Sequence, residues 1–133
     1  MPVKRATPES ALALAVTLSG LGMAVHTVRE FGLLGLWALE TGMLPVFGVQ
    51  LVLLGAWKWV AQTRTTVRRL LGITGVFQLV GGAILSVLPL PFLPFQPEQT
   101  IDHYLSHMIL GVCQVPLILI SFTRPRKRVD AQE

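Results

Sequence analysis

Charge is what this sequence has least of. Only 14% of its 133 residues are Asp, Glu, Lys or Arg, against 52% in the apolar set, whereas a soluble domain carries about 25% charge. That balance excludes an ordinary water-soluble domain, and the apolar content excludes a disordered chain. Cysteine is scarcer still. Cys113 stands alone, which excludes a CxxC redox pair, a Cys-rich zinc site and covalent c-type haem attachment. The sequence also lacks a Gly-rich phosphate loop, a nucleophile elbow and an HExxH motif. Its clustered glycines, Ser19-Gly20-Leu21-Gly22 and Gly81-Gly82, suit close helix packing better than phosphate binding.

What is present is length without charge. Four apolar stretches, about 11–28, 33–57, 70–88 and 103–122, stand out in a chain of mean hydropathy +0.62. A bilayer core about 30 Å thick takes about 20 helical residues, because helical backbone leaves no polar group unpaired in hydrocarbon. The sequence therefore predicts an all-α polytopic membrane protein, a single domain over 1–133 with four transmembrane helices in an up-down bundle. The first stretch follows Lys4 and Arg5 as a signal peptide's apolar core would, but Gly22-Met23-Ala24-Val25-His26 offers no cleavage signal, so a retained span is expected. Trp37 and Trp57 are twenty residues apart, about 30 Å of helix, and would sit in the two aromatic belts of the second span. Pro45 and Pro116 should kink the second and fourth spans. The run Leu88-Pro89-Leu90-Pro91-Phe92-Leu93-Pro94-Phe95-Gln96-Pro97 excludes helix and is expected to lie extended on the outer surface.

The few charges are sorted. Lys4 and Arg5 precede the first span, Lys58, Arg64, Arg68 and Arg69 separate the second from the third, and Arg124, Arg126, Lys127 and Arg128 open a basic tail over 123–133. Arg29 alone falls on the other side. This positive-inside pattern predicts cytoplasmic N and C termini in the cell membrane. Arg68, Arg69 and the tail residues Arg124, Arg126, Lys127 and Arg128 read as cytoplasmic anchors, with the tail able to touch anionic lipid. No aromatic residues interleave with them, so nucleic acid is not expected as a partner.

Polar residues inside spans face protein, because lipid offers them no partners. Ser19, Gln50, Gln78 and Gln114, one from each span, are the expected interior polar face. Within the third span Thr74, Gln78, Gly82 and Ser86 recur at steps of four, and within the fourth His103, His107, Gly111 and Gln114 keep one helical face polar. Applying the topology places His26, Glu40, His103 and His107 in the same outer leaflet. His103 and His107, four apart, present two imidazoles together. With Glu40 they form a possible metal set, and His26 with one of the pair could ligate a haem.

The second half, from Arg68-Arg69-Leu70-Leu71-Gly72 to His103-Tyr104-Leu105-Ser106-His107-Met108-Ile109-Leu110-Gly111, resembles a broad group of small bacterial four-helix membrane proteins. They share an Arg-rich inner loop and an HxxxG-like motif that opens the last span. The group carries an acidic residue four before that His, where this chain has His103. The resemblance covers less than half the chain and implies architecture, with no activity attached.

Three functional classes follow. One is a non-enzymatic accessory or assembly subunit, packed against other membrane proteins or a second copy. Another is a haem- or metal-binding membrane protein using His26, His103, His107 and Glu40. The third is a small proton-coupled transporter with Glu40 as its carboxylate.

Overall fold

The computed structural model describes residues 7–91 and 96–123, and these form helices and connections with no strand. Lys4, Arg5, residues 92–95 and the tail residues Arg124, Arg126, Lys127 and Arg128 lie outside the described residues. Helix α1 spans Pro8–Phe31. Thr7 caps it by accepting from the Ser10 amide at 3.2 Å, and Pro8 sits in the first turn, where its missing N–H costs nothing.

The second apolar stretch departs from the span expected over 33–57. Two short 3-10 turns, Leu33–Trp37 and Leu39–Thr41, precede helix α2, which begins only at Met43 and ends at Trp59. The cause lies in two glycines. Gly32 and Gly42 take φ of 71° and 74°, a region where a side chain would be strained, so the chain turns at both ends of the segment. Thr41 Oγ1 then donates towards the carbonyls of Ala38 at 2.8 Å and Gly35 at 3.1 Å, holding the segment folded. Three expectations are corrected together. Trp37 and Trp57 are not the two ends of one helix, Glu40 precedes α2, and Pro45 falls in the first turn of α2, where it has no intrahelical bond to break.

After a 3-10 turn at Ala61–Thr63, helix α3 covers Arg64–Phe77, and its winding loosens to a π-helix over Gln78–Ile84 before a last 3-10 turn at Leu85–Val87. Helix α4 spans Ile101–Phe122, capped by Thr100, which accepts from the His103 amide, and it contains Pro116. Three helical segments, Glu9–Phe31, Ala61–Val87 and Ile101–Phe122, are long and apolar enough to cross a membrane. Helix α2, also apolar, has 17 residues and reaches about 25 Å.

Successive helices run antiparallel. Leu12 near the start of α1 and Leu117 near the end of α4 share a core cluster with Val67 and Leu71 of α3, while Met23, Ala83 and Leu110 form a second cluster further along. Close approach depends on small residues. A Cβ on Gly72 would lie 2.7 Å from that of Ser121, and one on Gly22 would overlap the Cβ of Cys113. Such close contact supplies much of the attraction between helices wherever lipid surrounds them, since burial of apolar area does not drive association there.

Between the two clusters lies the expected interior polar face. Ser19, Gln50 and Gln114 are fully buried, and the Ser19 hydroxyl lies 2.6 Å from Gln114 Oε1 and 3.1 Å from Gln50 Oε1. Gln50 Nε2 donates onward to Thr74 Oγ1 at 3.2 Å. Four helices are thus joined through two hydroxyls and two amides. Gln78 is half-buried and donates to the Met23 sulfur at 2.8 Å.

Candidate metal centre

The antiparallel pairing of α1 and α4 brings the C-terminal end of the first beside the N-terminal end of the second. His26 and Glu30, four apart on α1, therefore meet His103 and His107, four apart on α4. The His107 ring centre lies 4.3 Å from that of His26 and 4.4 Å from that of His103. His107 is 5% exposed. An ion pair between Arg29 and Asp102 ties the two helix ends at the rim.

Each imidazole is held through Nδ1. His107 Nδ1 lies 2.7 Å from the Gly82 carbonyl and 3.1 Å from Ser86 Oγ. A carbonyl only accepts, so Nδ1 carries the proton and Nε2 keeps its lone pair. His103 Nδ1 lies 2.8 Å from Glu30 Oε2, and the carboxylate again makes Nδ1 the donor. The Ser106 hydroxyl donates to Glu30 Oε1, which leaves its oxygen to accept from His26 Nδ1 at 3.3 Å. Metal-ligating histidines are oriented in this way, with the outer nitrogen bonded to a carbonyl or carboxylate and the inner one free.

Two observations point to a ligand. One donor atom each from His26, Glu30 and His107 lies within 4.8 Å of the others. His103 Nε2 is buried and has no hydrogen-bond partner among the described residues, although such atoms are almost always paired. Beside the cluster opens a cavity of about 430 Å³, lined by all four residues together with Thr41, Ser86 and Pro97. Pro97 belongs to the segment expected on the outer surface.

The expected residues are thus partly united. His26 converges with His103 and His107 although more than seventy residues of sequence separate it from them. The carboxylate that joins them is Glu30, which the sequence reading passed over. Its signal was available, since the step from His26 to Glu30 repeats the step from His103 to His107. Glu40 lies on the 3-10 turn before α2, and its side chain is outside the described residues. Of the anchors, Arg69 is exposed and Arg68 half-buried near the opposite end of the bundle. No protein-family model matches this chain, and no curated protein or solved structure does either.

Proposed function

We propose that this is a membrane metal-binding protein, a four-helix bundle with both termini cytoplasmic, holding a divalent transition-metal ion at its outer end. The observation that carries the reading is the gathering of His26, Glu30 and His107 donor atoms, with His103 beside them and every ring fixed through Nδ1. Imidazole and carboxylate donors suit borderline cations such as Zn²⁺, Co²⁺ and Ni²⁺. An ion fits this cluster better than a haem. Imidazoles on opposite faces of a macrocycle would have ring centres about 6 Å apart, given metal–nitrogen distances of about 2.0 Å, whereas these pack at 4.3 and 4.4 Å. The orientation is supported by Lys58, Arg64, Arg68 and Arg69, which all fall at the α2–α3 connection, away from the histidines.

The accessory-subunit role has no feature among the described residues that singles it out, because exposed apolar side chains such as Leu14, Val52 and Leu119 suit a bilayer as well as a partner. The coupling role considered for Glu40 draws no support from a backbone position ahead of α2.

Titration of the detergent-purified chain with Co²⁺ tests the proposal, since visible absorption reports ligand number and geometry. One ion per chain is expected, with binding lost in His107→Ala and His26→Ala. Protein that stays colourless, with Zn²⁺ uptake no greater than that of the His107→Ala variant, overturns it.

A further inference from the structure

Immediately inward of the imidazole cluster lies a second, smaller cavity of about 70 Å³. Its lining includes His26, Met23 and Met43, with Thr27, Thr41 and Gln78 between them. We infer that this cavity is a Cu(I) site formed by the thioethers of Met23 and Met43, with His26, whose one free lone pair faces the outer cluster, standing between the two sites. The inference rests on the metal-binding reading above and specifies a second ion and its chemistry.

Three features separate this pair of methionines from ordinary core packing. Methionine is usually a gap-filler, yet here it borders space it does not fill, about twice the ~30 Å³ share of one water. Met23 is 2% exposed, and its sulfur already takes the Gln78 N–H. A thioether sulfur has two lone pairs, so that bond fixes the side chain and leaves one pair for a cation. His26 lines both this cavity and the larger one, so a single imidazole borders the nitrogen and oxygen donors outside and the sulfur donors inside.

Charge argues for the oxidation state. The outer cluster has Glu30 to offset a divalent ion. Around the inner cavity every lining group is formally neutral: two thioethers, an imidazole, two hydroxyls and an amide. A buried charge without a counter-charge is costly, and the self-energy grows with the square of the charge. A monovalent ion is therefore far less penalised there than a divalent one. Thioether sulfur selects Cu(I) among biological cations because both are soft. No redox step is required, since the ion enters and stays as Cu(I).

The test is anaerobic competition of the full-length protein in detergent against the Cu(I) chelator bicinchoninate, with Zn²⁺ affinity measured in parallel. The Met23→Leu/Met43→Leu double variant keeps side-chain volume. It should weaken Cu(I) binding by more than the roughly 10–100-fold that loss of a supporting group costs at a metal site, and leave Zn²⁺ affinity unchanged. X-ray absorption of the Cu(I)-loaded wild-type protein should show copper–sulfur scattering, which keeps the test decisive if the variant folds poorly. Unchanged Cu(I) affinity in the folded variant, or a shell of nitrogen and oxygen alone, overturns the inference. Zn²⁺ binding without Cu(I) binding overturns it while sparing the outer site, and absence of both overturns both readings.

Discussion

Replacing Glu30 by Gln removes one negative charge and almost no volume, and separates the roles the carboxylate can play. In the native chain Oε2 accepts from His103 Nδ1 and Oε1 from the Ser106 hydroxyl, which in turn accepts from His26. A glutamine side chain has one oxygen and one NH₂, so it can serve only one of those two donors. The other donor loses its acceptor, and either His103 or the Ser106–His26 pair loses its fixed orientation. Loss of such an outer partner lowers metal affinity by about 10–100-fold, or about 1.4–2.8 kcal/mol at 1.4 kcal/mol per decade. If Glu30 also ligates, as its distance to His26 and His107 permits, the loss exceeds that range. Competition with a chromophoric Zn²⁺ chelator measures it directly, with Glu40→Gln as the matched control. The expected pattern is a loss of at least tenfold for Glu30→Gln and none for Glu40→Gln. Equal affinities for Glu30→Gln and the native protein would refute the assignment of Glu30, and a loss confined to Glu40→Gln would move the carboxylate back to the second apolar stretch.

Ser19→Ala removes the hydroxyl that two glutamines share and should cost about 1–3 kcal/mol, the penalty for buried polar groups left unpaired. Unfolding in mixed micelles followed by circular dichroism reads it, and a cost no larger than that of exposed Thr17→Ala would show the hub to be dispensable. Gly81→Ala should leave stability equal or raised by up to about 1 kcal/mol, since Ala favours regular α-helix over Gly and an added Cβ there meets only Phe77, at 4.0 Å. The same change should weaken Zn²⁺ binding by pulling the π-helix towards α-helical winding, and unaltered affinity would detach the π segment from the site. In a Cys113→Ser background, Gln62→Cys should react with an impermeant maleimide only after the membrane is opened, and Glu98→Cys in intact cells. The reverse pattern would invert the orientation.

What was legible in the sequence was whatever depended on helical spacing. Ser19 and Gln114 each sit near the middle of an apolar run and meet, buried, at one level, whereas Gln50 lies past the middle of 33–57 and joins them because α2 begins only at Met43. What was hidden depended on backbone conformation. Hydropathy runs unbroken from Leu33 to Trp57, yet Gly32 and Gly42 decide that the helix starts at Met43. The misplacement of Glu40 follows from that one boundary. Glu30 went unnoticed for a related reason. Beside Arg29 it looked like a loop residue, whereas α1 continues to Phe31 and carries it into the cluster.

The π segment explains how a stripe with a period of four reaches the site at all. In an α-helix a step of four residues overshoots one turn by about 40°, so three such steps from Thr74 to Ser86 would carry the side chain about 120° around the helix. Ser86 would then point away from α4. The i→i+5 winding over Gln78–Ile84 has more residues per turn and turns the chain back. All four positions consequently face the bundle: Thr74 receives Gln50, Gln78 donates to Met23, and Gly82 and Ser86 hold His107. The paired glycines at 81 and 82 ease that unusual winding, and the Gly82 carbonyl is the atom that fixes the His107 tautomer. A local relaxation of helical geometry in the third helix thus sets which nitrogen of His107 keeps its lone pair, so the π segment belongs to the candidate site as much as the histidines do.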